Sequence, residues 1–73
     1  MNKQVSPFMQ ELRNERKRQR VTQWELAKRA GYQGGEIWRW EKGICQPRLA
    51  VVVDLANALG KHLVLIDKEK NQM

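Results

Sequence analysis

The groups in this chain that could do chemistry are cations and amides rather than nucleophiles. Fourteen Lys and Arg stand against eight Asp and Glu, a formal net charge of +6 over 73 residues. No nucleophile sits beside a base, no carboxylates cluster at catalytic spacing, and no glycine-rich phosphate loop is present. One cysteine, Cys45, and one histidine, His62, leave no soft ligand set for a metal and no intrachain disulfide. The expectation is a chain that is not an enzyme and needs no metal or cofactor. Its excess positive charge suits a polyanion, either nucleic acid or an anionic membrane surface. Basic charge alone is a weak signal, because it also serves solubility.

A chain this short holds one domain with a thin core. That argues against a large substrate cavity, a nucleotide-binding βαβ sheet or a two-domain cleft. The longest apolar run, Leu49 to Val53, falls far below the ~20 residues a bilayer demands. The start, MNKQVSPFMQ, has no apolar signal segment. A reduced, cytoplasmic setting is expected, with no membrane partner.

Several elements must position the charged groups. Ser6-Pro7 is a helix start, with Phe8, Met9 and Leu12 at helical spacing. The charged stretch Arg13 to Arg20 that follows reads either as a solvated face or as a surface beside a phosphate backbone. Thr22-Gln23-Trp24-Glu25 is a capping box that opens a second helix, with Leu26, Ala27 and Ala30 on its apolar face. Gly31 ends it with a sharp turn. A third helix follows Gln33-Gly34-Gly35-Glu36, with Ile37 and Trp40 on one side, Trp38 and Arg39 pointing elsewhere, and Gly43 at its end. A fourth helix, Arg48 to Leu59, is expected to carry Leu49, Val52, Val53, Ala56 and Leu59 on the core. Val51 and Leu55 then form a second apolar stripe that calls for another partner, either the first helix or a second subunit. Leu63-Val64-Leu65-Ile66 reads as a short strand. With no other strand in the chain to satisfy its backbone, it should pair with its counterpart in a second copy.

The helix, glycine turn and helix of residues 22–43 place the third helix with its outer face projecting, a shape that fits a major groove ~12 Å wide. The spaced words Thr22-Gln23-x-x-Leu26-Ala27 and Gly31, Ile37, Trp40-Glu41 and Gly43 recur here together with Pro47, Ala58-Leu59-Gly60 and Leu12-Arg13-x-x-Arg16. Over roughly residues 8–60 the chain resembles the XRE family, the lambdoid phage repressor and Cro group of helix-turn-helix regulators. The resemblance implies an all-α, four- to five-helix domain that binds double-stranded DNA. By the same resemblance Gln23 meets a phosphate, Arg16 and Glu41 form a buried ion pair, and Gln33, Gly34, Gly35 and Arg39 face base edges. Arg48 approaches the backbone or the minor groove.

The chain departs from that pattern at informative places. Gly34 and Gly35 carry no side chain, which silences two reading positions while permitting close backbone approach. Arg39 becomes the leading base reader, since a guanidinium can grip guanine O6 and N7 together; Gln33 is second. Glu36 either caps the third helix or accepts from cytosine N4, with capping favoured. Lys42 is assigned to phosphate. Glu15, Gln19 and Arg20 stand where apolar residues or glycine are commoner in the family. Trp40 belongs to the core. Trp38 divides evenly between a DNA-proximal role and a simple exposed ring, and Trp24 suits a protein contact or a partly covered surface.

The apolar ending Leu63–Ile66 resembles HipB-type antitoxins, in which such strands pair across a dimer. The expected organisation is therefore a DNA-binding domain over 6–60, a dimerisation strand over 61–67, and flexible tails at 1–5 and 68–73. Val51, Leu55, Leu63, Val64, Leu65 and Ile66 are the expected dimer contacts. The leading functional expectation is a homodimeric, sequence-specific regulator, a repressor acting on a near-palindromic operator. The alternative is an antitoxin that binds a protein toxin and regulates its own operon.

Overall fold

Ser6 starts the first helix by accepting the Met9 amide on its Oγ at 3.2 Å, and Pro7 takes the first helical position, where no amide is needed. In a computed structural model that describes residues 5–65 and 67, the order is α1 (Pro7–Arg18), α2 (Gln23–Ala30), α3 (Gly34–Lys42) and α4 (Leu49–Ala58). These four helices are the regular elements among the described residues. Val5, placed in the amino-terminal tail by its sequence, is half-buried against the core, and its carbonyl accepts from Gln10 Nε2 at 3.2 Å. Residues 1–4, Ile66 and 68–73, assigned above to tails and strand, lie outside the described residues.

The core is built by Met9 and Leu12 of α1, Val21, Leu26 and Ala27 of α2 and its approach, Ile37 of α3, and Val52, Leu55, Ala56 and Leu59 of the α4 region. α2 packs on both α3 and α4, and α1 on the same two helices. Ala27 is fully buried, and its small side chain fits the close packing of α2. Gly31 ends α2 at a φ of 85°, in the left-handed region where only glycine is unstrained, and Ala27 O accepts both the Gly31 and the Tyr32 amides at 2.8 Å. That turn sets α3 against the rest of the domain.

The phase of α4 differs from the sequence expectation. Leu55 is fully buried in the core rather than offered to a second subunit, and Val51 is half-buried against that core. Leu49, expected inside, is 65% exposed. Five consecutive apolar residues fix no phase; the spacing 52, 55, 56, 59 does, because those positions share one face of a 3.6-residue helix. Phe8 is likewise exposed beside the buried Met9. Residues 61–65 form no strand: Leu63 packs against the core, while Val64 and Leu65 are exposed. A strand is defined by a ladder to a neighbour, and no strand occurs among the other described residues to provide one.

Arg20 closes the turn after α1 with a φ of 60°. An L side chain there costs about 1–2 kcal/mol, partly offset in glycine by the greater freedom of its unfolded chain. Arg20 is exposed and joins no ion pair among the described residues. Arg20→Gly is expected to raise the melting temperature by about 3–6 °C. A thermal melt followed by circular dichroism checks this, and a lower midpoint would contradict the strain argument.

Glu15 ties the end of α1 to the end of α4. It accepts from Arg18 and from Gln19 Nε2 at 2.7 Å, and the same Gln19 amide reaches Leu59 O at 2.9 Å. The Arg18 hydrogen bond first, and then that of Gln19, hold the Glu15 carboxyl down to about 2. A group lowered in the native state stabilises it fully above its ordinary value of 4.5, and that contribution fades as pH falls toward 2. Glu15→Gln should therefore lose less stability than the parent on acidification through this window. Parallel melts of the two proteins test it; identical slopes would remove Glu15 from the acid response.

Candidate nucleic-acid interface

The interface begins with a buried ion pair that fixes two helices. Arg16 Nε donates to Glu41 Oε2 at 2.8 Å and Arg16 Nη2 to Glu41 Oε1 at 2.9 Å, a two-pronged contact. Arg16 Nη1 also donates to Val21 O at 2.8 Å. Arg16 and Glu41 are both buried, so α1 and α3 are locked at this point by a charge pair shielded from water. Val21, whose burial and carbonyl both serve this contact, carried no signal in the sequence beyond its apolar type.

Gln23 lies at the first position of α2, after the Thr22 cap, whose Oγ1 accepts the Glu25 amide at 3.0 Å. The Glu25 carboxylate turns to Arg29 at 3.4 Å. Gln23, the expected phosphate contact, donates its Nε2 to Glu41 Oε1 at 2.9 Å. The side chain therefore first extends the ion-pair network. Arg13 joins from outside, with its Nε 3.9 Å from Glu41 Oε1.

α3 opens at Gln33, whose backbone amide donates to Glu36 Oε1 at 3.0 Å. Glu36 is thereby occupied in capping and is not poised over a base. Ile37 and Glu41 face inward. Trp40 is half-buried and meets Tyr32 edge to face, with centroids 5.4 Å apart. The Tyr32 hydroxyl donates to Asp54 Oδ2 at 2.6 Å, and this hydrogen bond is the main reason its pKa is raised.

The outward side of α3 carries Gly35, Trp38, Arg39 and Lys42, all exposed. Arg39 makes no ion pair among the described residues, so its guanidinium is available. Lys42 Nζ lies 6.0 Å from the Trp38 ring centre, within cation–π reach. Lys42 and Trp38 border a recess of about 400 Å³ together with Arg13, Lys17 and Gln23. Arg13 and Lys17 are four residues apart on α1 and reach the same recess from its far wall. The sequence showed only a charged stretch in which Arg16 and Arg20 have the same four-residue spacing, so only packing singles out Arg13 and Lys17.

Arg48 stands elsewhere. It is the amino-terminal cap of α4 and borders a separate recess with Tyr32, Glu36 and Trp40. Glu36 and Trp40 lie on the flank of α3 opposite Trp38 and Lys42, since successive helical residues advance by about 100°. Cations therefore bracket α3 on both flanks. Gly34, finally, lies beneath the Trp24 indole: a methyl placed on it would meet that ring at 3.5 Å, whereas one on Gly35 would meet nothing. The structure thus gathers Trp24, Gly34, Gly35, Trp38, Arg39 and Lys42 about the exposed part of α3, and sends Arg48 to its other side. Of the expected dimer contacts, Val51 borders the Arg48 recess, while Leu55 is buried and Leu63 packs on the core.

Comparison with known proteins agrees with this architecture. The chain is 38% identical over 60 residues to an uncharacterized HTH-type transcriptional regulator, y4dL, of Sinorhizobium fredii. The match covers 82% of this chain but 31% of that relative, so the chain spans about a third of its length. Residues 8–67 match the family described as helix-turn-helix domain, and since that span takes in all four helices, the chain belongs to the helix-turn-helix domain family.

Proposed function

We propose that this chain is a sequence-specific DNA-binding transcriptional regulator, an XRE-type repressor that acts as a homodimer on a near-palindromic operator. One observation carries the reading: α3 presents the exposed Arg39 outward, with Lys42, Arg13 and Lys17 on one flank and Arg48 on the other. A helix so bracketed can lie in a major groove with a phosphate strand on each side. Arg39 and Gln33 read bases, and the flanking cations supply most of the affinity through the backbone. Repression follows from occluding a promoter. No catalytic step is assigned to the chain.

Dimerisation draws on exposed apolar residues that the monomer leaves uncovered. Val64 and Leu65, beyond the carboxyl end of α4, are exposed, and a second copy covers them while setting two α3 helices ~34 Å apart, one turn of duplex. The antitoxin alternative uses the same exposed segment for a protein toxin. Selection of bound sequences from a random duplex pool at physiological salt tests the main reading. A palindromic consensus with half-sites one turn apart is expected, and no enrichment would overturn it. Sedimentation of the chain with and without residues 63–73 tests the dimer; equal, monomeric masses would sink that part.

A further inference from the structure

The exposed side of α3 contains a feature that base-reading side chains do not explain. Gly34 and Gly35 leave a notch of about 230 Å³, lined by Gln23, Trp24 and Trp38. Trp24 of α2 covers Gly34, with the nearest ring atom 3.5 Å from where a Cβ would stand. Trp38 closes the other side from the next turn of α3. No charged side chain lines the notch among the described residues. Besides the two indole N–H groups, its polar side chain is Gln23, which donates its amide to Glu41 at 2.9 Å. Trp24 is 76% exposed and Trp38 45% exposed, so both indoles stand at the surface rather than in the core.

The surroundings contrast with the interior. Lys42 lies against Trp38, and Arg13 and Lys17 border the adjoining recess. An uncharged hollow beside cations suits a small apolar group carried by a polyanion. In the major groove the base edges offer donors, acceptors and one such group, the C5-methyl of a pyrimidine. We propose that the Trp24–Gly34–Gly35–Trp38 notch is a reader of the pyrimidine C5-methyl group, so that each half-site carries one thymine recognised by its methyl alone. The inference rests on the DNA-binding reading above and adds a specificity determinant to it. The backbone does not demand glycine at 35, since no positive φ is recorded there and a methyl would meet nothing within 4 Å; glycine leaves this side of the notch open, and only a larger side chain would occupy it.

The test uses the full chain and the consensus duplex selected from the random pool. Each thymine is replaced singly by deoxyuridine, which removes the methyl and leaves the hydrogen-bonding edge intact. One thymine per half-site should lose roughly fourfold in affinity, the equivalent of one buried methyl. Putting 5-methylcytosine for cytosine in a C·G-substituted site at that position should recover a similar factor. Trp24→Ala, which removes one wall, and Gly35→Leu, whose side chain is large enough to occupy the notch, should bind with the methyl dependence abolished. Neither change disturbs the core, since Trp24 and Gly35 are both exposed and a Cβ on Gly35 meets no atom within 4 Å. If the parent binds a consensus but tolerates deoxyuridine at every position, or if both variants keep the parent's dependence, the methyl reader is wrong and the DNA-binding reading stands. If no consensus is bound, both fall.

Discussion

Glu41→Ala is expected to be the most damaging single substitution in this chain. It removes both carboxylate oxygens that accept from the Arg16 guanidinium and the acceptor of the Gln23 amide, leaving a buried cation with the Val21 carbonyl but no anion. Breaking a buried pair from one side costs about 3–5 kcal/mol. At 0.05–0.15 kcal/mol per residue, a domain of this length has only about 4–11 kcal/mol in total. The melting midpoint should therefore fall by about 15–30 °C. Glu25→Ala is the matched control, because its pair with Arg29 is long, at 3.4 Å, and exposed. That change should stay within about 0.5 kcal/mol of the parent. Replacing both members of the buried pair, Arg16→Met with Glu41→Leu, should be less harmful than Glu41→Ala alone, since no unpaired charge remains. Equal midpoints for Glu41→Ala and Glu25→Ala would show that the pair does not hold α1 against α3. The functional consequence follows from the same contacts. Gln23 and Arg13 are both held by Glu41, so the recess that bears the flanking cations loosens when Glu41 is lost.

These contacts also show which information is local in the sequence. Thr22, Gly31 and Gly43 act on their own neighbours through caps and left-handed turns, so the boundaries of α2 and α3 follow from residue type. The partner of Gln23 is eighteen residues away, and only packing decides that its amide meets Glu41 before it meets anything outside the chain. α4 illustrates the same limit for apolar residues. Leu49 to Val53 offers an apolar side chain in every direction, and contact with α1 and α2 selects the face that ends at Leu59. The run Leu63–Leu65 has the composition of a strand, but strand formation depends on a neighbour that local composition does not specify. From its sequence Trp24 suits a protein contact or a partly covered surface, with nothing to link it to α3. Its position over Gly34 emerges only when α2 and α3 are packed, and the absent side chains at 34 and 35 then become a shaped space rather than a loss of readers. Arg20 could have been suspected from the glycine common in related turns, but its left-handed backbone is visible only in three dimensions.

Arg39→Ala should separate specificity from affinity. Arg39 is exposed on α3, makes no ion pair among the described residues and lies on the side away from Ile37 and Glu41, so its loss should change stability by no more than about 0.5 kcal/mol. Against the selected operator the variant should lose about 1–3 kcal/mol of discrimination over random duplex, as expected for one bidentate contact to guanine O6 and N7. Arg39→Lys should fail in the same way while keeping its charge, because an ammonium cannot present two parallel donors. Lys17→Ala provides the opposite pattern. A phosphate contact weakens binding to every sequence alike and lowers the salt dependence by about 0.9 in the log–log slope. Binding titrations on operator and random duplex at several salt concentrations distinguish the two behaviours. If Arg39→Ala loses affinity uniformly and retains its preference, Arg39 is a backbone contact, and sequence must be read by Gln33, the notch and the shape of the DNA.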